Sequence, residues 1–203
     1  MSSAGGSAFR HRDFSLFWVS LVAEALALQM AVVAIGWQVY SISGSALDLG
    51  LIGLAEFLPL LLLALPAGHL ADRLPRRNLL TVMAASNALV LGGLLAVTVA
   101  DTGHVWPFFA LAFVQGIGSS IGAPAGRALT PSLVPQEILV SALAQRSIAF
   151  QGSAVLGPAL GGILLWVNPE LVYAVGIAFS IVGLVCIRAM RAGRSPAGPV
   201  SCC

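Results

Sequence analysis

The sequence predicts an all-α membrane protein with six transmembrane helices and both termini in the cytoplasm. Three observations carry that prediction: a shortage of charge, six long apolar runs and a one-sided distribution of arginine. Of 203 residues only ten are basic and eight acidic, 9% together, while 58% are apolar. A soluble domain carries about 25% charged residues, because a globule of this size must cover its surface with polar side chains. The shortage excludes a disordered chain, a nucleic-acid binder and an ordinary water-soluble core, and leaves the lipid bilayer as the main solvent. The net charge of +2 is too small to imply an acidic partner. Cysteine occurs only at Cys186, Cys202 and Cys203, with no disulfide framework and no metal-ligand spacing to the three histidines. No metal and no cofactor is expected.

A spanning helix needs about 20 apolar residues at roughly 1.5 Å each. The runs fall at about 14–40, 47–71, 79–100, 106–126, 138–166 and 171–187. The first is interrupted by Glu24 and the second by Glu56; the third has no charge, and the fifth contains Arg146. The breakers Ser43-Gly44-Ser45, Asp101-Thr102-Gly103, the stretch from Pro131 to Pro135, and Asn168-Pro169 separate them. Nothing alternates as a strand does, and helices satisfy their own backbone in lipid. The first run imitates a secretory signal but is too long and carries an acid, so it is expected to be retained. The resulting division is a cytoplasmic segment at 1–13, a six-helix transmembrane domain at 14–190 and a disordered cytoplasmic tail at 191–203.

With the N-terminus inside, Arg10, Arg12, Arg73, Arg76, Arg77, Arg127, Arg188, Arg191 and Arg194 all fall at the cytoplasmic face, and the opposite loops hold only Asp48, Asp101 and Glu170. That bias is the positive-inside pattern. Trp37, Trp106 and Trp166, with Tyr40 and Tyr173, are expected in an outer aromatic belt, and Trp18 in an inner one.

Small residues four apart predict close helix packing, since lipid removes the hydrophobic drive between helices. Such ridges are Ala84, Ala88, Gly92 and Ala96; Gly118, Gly122 and Gly126; and Ala149, Ser153, Gly157 and Gly161. The last also carries Pro158 and Gly162, which predict a bend. Ionisable groups inside spans are costly and become the functional candidates. Glu24, Glu56 and Arg146 fall near the midplane, and Gln38 returns to nearly the Glu24 face after fourteen residues. In one reading Glu24 and Glu56 line a polar cavity and one of them takes a proton as a substrate leaves. In the other, Glu24 is permanently paired with Arg146 and locks two helices.

Gly68-His69-Leu70-Ala71-Asp72-Arg73-Leu74-Pro75-Arg76-Arg77 resembles the signature loop of the major facilitator superfamily, with Pro75 where that pattern usually has glycine. Gly157-Pro158-Ala159-Leu160-Gly161-Gly162 is similar to the fifth-helix signature of the superfamily's exporters. The stretch from Gly122 to Glu137 resembles the end of the fourth helix in the drug and siderophore exporter branch, which includes the enterobactin exporter. An arginine common three residues before Gln-Gly in that helix is replaced by Ala112 ahead of Gln115-Gly116, so its proton-relay role does not carry over.

The resemblance implies one six-helix half of a twelve-helix bundle, whose partner is the absent C-terminal half or a second copy. It implies a small-molecule substrate, with proton-coupled export of a drug-like compound or siderophore. It also implies a cytoplasmic latch built from Gly68, Asp72, Arg73, Arg76, Arg77 and Arg127, and an interface between halves at Ser153, Gly157, Pro158, Gly161 and Gly162. The chain is expected to be a truncated copy, a fragment or a half that must pair, in a bacterial inner membrane. Two other functions compete with this one: a non-transporting membrane protein that packs against or regulates partners, and a six-span intramembrane serine protease. The latter lacks a histidine inside any span to activate a nucleophile. No enzymatic activity is expected.

Overall fold

The computed structural model describes residues 12–64, 66, 68 and 73–190. They form six α-helices: α1 (Arg12–Ser43), α2 (Ala46–Leu62), α3 (Arg76–Val99), α4 (Trp106–Leu133), α5 (Leu139–Val167) and α6 (Pro169–Ala189), with a short 3-10 turn at Gln136–Ile138 leading into α5. Five of them, α1 and α3 to α6, are long and apolar enough to cross a membrane. The expected second span appears as the 17 residues of α2, and most of its continuation lies outside the described residues.

Helix boundaries follow local chemistry. Gly44 has φ +64° and its N–H bonds the Tyr40 carbonyl at 2.8 Å, which closes α1 in the left-handed conformation that glycine adopts without strain. At the start of α6, Asn168 Oδ1 accepts from the Glu170 N–H at 2.8 Å, and Pro169 occupies the first turn. The expected end of the fourth span near residue 126 is corrected, since α4 continues through Pro124 and Pro131 to Leu133. Each proline removes one backbone donor but keeps a helical φ. Two contacts support the extension: Thr130 Oγ1 donates to the Gly126 carbonyl at 3.3 Å, and the Arg76 guanidinium donates to the Ala128 carbonyl. Similarly, α5 runs unbroken through Pro158.

The strongest helix contacts are α1 with α6 and α5, α3 with α4 and α6, and α2 with α4. The packing order is therefore α2, α4, α3, α6, α1, α5, with α2 and α5 on the two flanks. One end gathers Phe14 of α1, Val134 just after α4 and Ala142 of α5 in one apolar cluster, and Phe17, Leu80 and Ile187 in another. Arg76, Arg77, Arg127 and Arg188 also lie toward it, and it is referred to below as the arginine end. Val39, Phe108, Val172 and Tyr173 pack toward the other end.

The ridges divide in a way spacing did not predict. Gly118 and Gly122 of α4 meet Ser86 and Met83 of α3 with no room for a Cβ, so that ridge is the α3–α4 seam. On α3 the ridge is corrected: Ala96 is exposed and Gly92 faces open space, while Leu80, Ala84, Asn87, Leu91 and Leu94 make the buried line. The α3 stripe follows partner size, not its own small residues. Among the aromatics, Trp37, Tyr40, Trp106 and Trp166 are exposed as a belt requires. Tyr173 is not in that belt; it is fully buried. Trp18 is half-buried, its indole N–H donating to the Gln145 carbonyl at 3.0 Å.

Candidate functional site

Two polar layers tie the same three helices together. In the first, Asn87 Nδ2 of α3 donates to Glu24 Oε2 of α1 at 2.5 Å and to Ser180 Oγ of α6 at 3.1 Å, and the Ser180 hydroxyl reaches Glu24 Oε2 at 3.3 Å. In the second, Gln38 of α1 accepts from the Tyr173 hydroxyl of α6 at 2.6 Å and donates to Thr98 Oγ1 of α3 at 3.0 Å. Glu24 and Gln38 thus share a helix face, as their spacing requires, but belong to separate networks.

Glu24 is buried with its carboxylate against Gly183. Among the described residues it has no ion pair with Arg146; its polar partners are Asn87 and Ser180. Arg146 is half-buried, and among the described residues its Nε has no hydrogen-bond partner. Glu56 is half-buried on α2, with no side-chain hydrogen bond to a described residue. Its backbone carbonyl touches α4 so closely at Gly116 that no Cβ fits between them.

These groups line two cavities. The first, of about 200 Å³, is walled by α1, α2, α3 and α4 and contains Glu56. The second, of about 290 Å³, lies toward the arginine end and contains Glu24, Arg127 and Arg146. Both are largely apolar, a composition suited to amphipathic molecules. Leu28, Asn87 and Gln115 line both.

At the arginine end, Asp72 lies outside the described residues. Arg73 is exposed, and a Cβ at Gly68 would meet no described atom within 4 Å. Arg76 donates to the Ala128 carbonyl of α4. Arg77 Nε donates to the Ile187 carbonyl at 3.1 Å, and its Nη2 to the Arg188 carbonyl. Arg77 therefore closes the carbonyl end of α6, where backbone acceptors have no helical partner. Arg127 is exposed at its position on the second cavity wall.

The expected interface ridge is placed differently from the sequence reading. Ser153, Gly157 and Gly161 are buried, with Gly157 against Gln29 and Gly161 against the Met30 backbone of α1. The reason is steric: only residues without bulk admit the α1 backbone this closely. Pro158 is half-buried and Gly162 exposed, on the outer side of α5 with Leu156, Leu160 and Ile163.

Asn87, Ser180 and Gln115 carry no charge and so do not stand out among the ionisable groups of the sequence. An amide or hydroxyl inside an apolar span was the available signal, because such groups seek partners across helices.

The sequence profile of a family described as transmembrane secretion effector matches residues 3–198. The staphyloferrin A transporter of Staphylococcus aureus is 27% identical over 76% of this chain and 40% of its own length. Macrolide efflux protein A of Streptococcus pyogenes is 27% identical over 85% of the chain and 42% of its own length. A putative multidrug resistance protein, MdtD of Escherichia coli, is 30% identical over 60% of the chain and 25% of its own length. The matched part of the chain thus spans less than half the length of each of these curated relatives.

Proposed function

The chain belongs to the transmembrane secretion effector family of major facilitator transporters, and from that premise we propose that it carries one six-helix half of a proton-coupled exporter of small amphipathic molecules. The single observation that carries the reading is the pair of apolar cavities, each with one intramembrane acid, Glu56 in one and Glu24 in the other. An ionisable group inside an apolar helix is costly, and a path for a molecule and a proton gives both acids a use.

In this reading α2 completes a sixth span and both termini lie in the cytoplasm. A second six-helix half closes the cavities from the side, so that rocking of the halves opens them alternately. The exposed side of α5 that includes Gly162 faces that second half. Asp72, Arg73, Arg76, Arg77 and Arg127 form the cytoplasmic latch, with Arg76 and Arg77 tying α3 to the ends of α4 and α6. Relatives named for macrolide efflux, multidrug resistance and staphyloferrin A transport support drug-like compounds or siderophores as the substrate class. The finer likeness to the enterobactin exporter rests on the stretch from Gly122 to Glu137.

Everted membrane vesicles from cells expressing the native gene test the proposal. They should accumulate a macrolide or ethidium when an inward-acidic proton gradient is imposed, and lose it when the gradient is collapsed. Correctly inserted protein with no gradient-dependent movement of any such compound would favour the packing or regulatory alternative.

A further inference from the structure

Leu28, Asn87 and Gln115 are common to the walls of both cavities, so these three side chains form the waist between them. They differ in what they have left to offer. Leu28 has no polar atom, and the Asn87 amide donates to Glu24 and Ser180. Gln115 is only 8% exposed, and its Oε1 has no hydrogen-bond partner among the described residues. Its position is fixed by its neighbour, because Gly116 sits directly against the Glu56 carbonyl and pins α4 to α2 at this level.

Buried polar atoms are almost always hydrogen-bonded, and one that is not invites a functional explanation. Here the side chain lies in a wall shared by two apolar chambers, and a turn of its terminal amide presents the acceptor to a molecule bringing an N–H or O–H group. We propose that Gln115 is a substrate-binding residue held in common by the two cavities, selecting amphipathic molecules that carry a hydrogen-bond donor. The inference rests on the transport reading above and adds its substrate chemistry. As such a molecule moves between chambers its apolar body exchanges one set of walls for another, from Ala31, Val90 and Leu91 to Phe17 and Met83, while its donor keeps a single partner. A site built to accept a donor rejects analogues that lack one, since its own buried acceptor would then stay unpaired.

A structural role for Gln115 makes the opposite prediction about stability. An amide that holds the bundle together loses stability when made apolar, whereas an unpaired buried acceptor replaced by an apolar group of similar shape costs little or stabilises.

The full chain, purified into lipid nanodiscs, is titrated with two cationic probes. Ethidium carries two aromatic amines, and tetraphenylphosphonium is an apolar cation with no N–H or O–H. Gln115→Met should raise the Kd for ethidium about three- to tenfold, the range of one neutral hydrogen bond, leave that for tetraphenylphosphonium unchanged and keep or raise the thermal midpoint. Gln115→Asn, which withdraws the amide by one methylene, should show the same selectivity and serves if the methionine variant does not fold. Equal effects on both probes, or unchanged ethidium binding with lowered stability, would overturn the assignment of Gln115 and leave the transport reading standing. Failure of the unsubstituted chain to bind either probe would remove both.

Discussion

Glu24 on α1 and Gly183 on α6 are in such close register that a Cβ at residue 183 would lie 2.6 Å from the Glu24 carboxylate oxygen Oε1. The absence of a side chain at 183 is what allows the acid to sit between α3 and α6 and to accept from Asn87 and Ser180. Gly183→Ala should push the carboxylate away from both donors. The expected loss is about 1–3 kcal/mol, the usual cost of overpacking, read as a lower thermal midpoint in detergent. Ser180→Ala removes one of the two donors without crowding and should cost under about 1 kcal/mol, as interhelical hydrogen bonds in membranes average roughly 0.6. A glycine variant as stable as the parent would show that Glu24 has another place to go.

Gly116 presents a stricter case, because its neighbour is backbone. A Cβ there collides with the Glu56 carbonyl and meets Pro59 at 3.2 Å, and neither can swing aside as a flexible side chain would. Gly116→Ala should separate α2 from α4 and reduce the yield of folded protein more than Gly183→Ala does. Gly92→Ala is the control. It faces open space, and alanine favours a helix over glycine by about 1 kcal/mol, so stability should hold or rise. Midpoints measured side by side decide whether close approach, rather than glycine content, governs this bundle.

Much of this architecture is legible in the sequence, because lipid imposes a strong pattern. Spans of about 20 apolar residues and glycines four apart on α4 each follow from one physical requirement; five of the six helices meet the first, and the α3–α4 seam meets the second. The rest depends on partners that spacing cannot supply. Whether Ser153, Gly157 and Gly161 face an absent half or α1 is decided by which helix arrives, and α1 does. Tyr173 reads as a belt residue until Gln38 is placed opposite its hydroxyl. At Glu24 the level arginine suggested a salt bridge, yet two neutral donors from α3 and α6 occupy the carboxylate. Depth along a helix is readable from sequence; rotation about its axis is set by neighbours.

Arg77 offers a test of the arginine end that separates geometry from charge. Its guanidinium serves the Ile187 and Arg188 carbonyls together, and lysine cannot reproduce that fork. Arg77→Lys keeps the positive charge, so insertion should be normal while the last turn of α6 loosens. Hydrogen exchange of the amides from Cys186 to Met190 should quicken severalfold. Arg77→Ala should quicken it as much or more. Unchanged exchange in both variants would reduce Arg77 to a topology signal.

The two acids separate carrier from scaffold. Glu56 has no side-chain hydrogen bond to a described residue, whereas Glu24 accepts from Asn87 and Ser180, so the two substitutions act on different surroundings. Glu56→Gln replaces the acid by a neutral amide in a half-buried wall and should preserve folding and insertion. If Glu56 carries the proton, uptake of ethidium into everted vesicles then loses its dependence on the imposed gradient while binding persists. Glu24→Gln retains a carbonyl acceptor for Asn87 and leaves no broken ion pair behind, because Arg146 is not its partner. Stability should therefore fall by far less than about 3–5 kcal/mol, the cost typical of severing a buried salt bridge, and the folded yield should hold. A large loss of Glu24→Gln protein would mean that Arg146 does depend on that charge. Gradient-driven export that survives Glu56→Gln but not Glu24→Gln, at equal expression, would move the carrier role from α2 to α1 and place it beside the larger cavity.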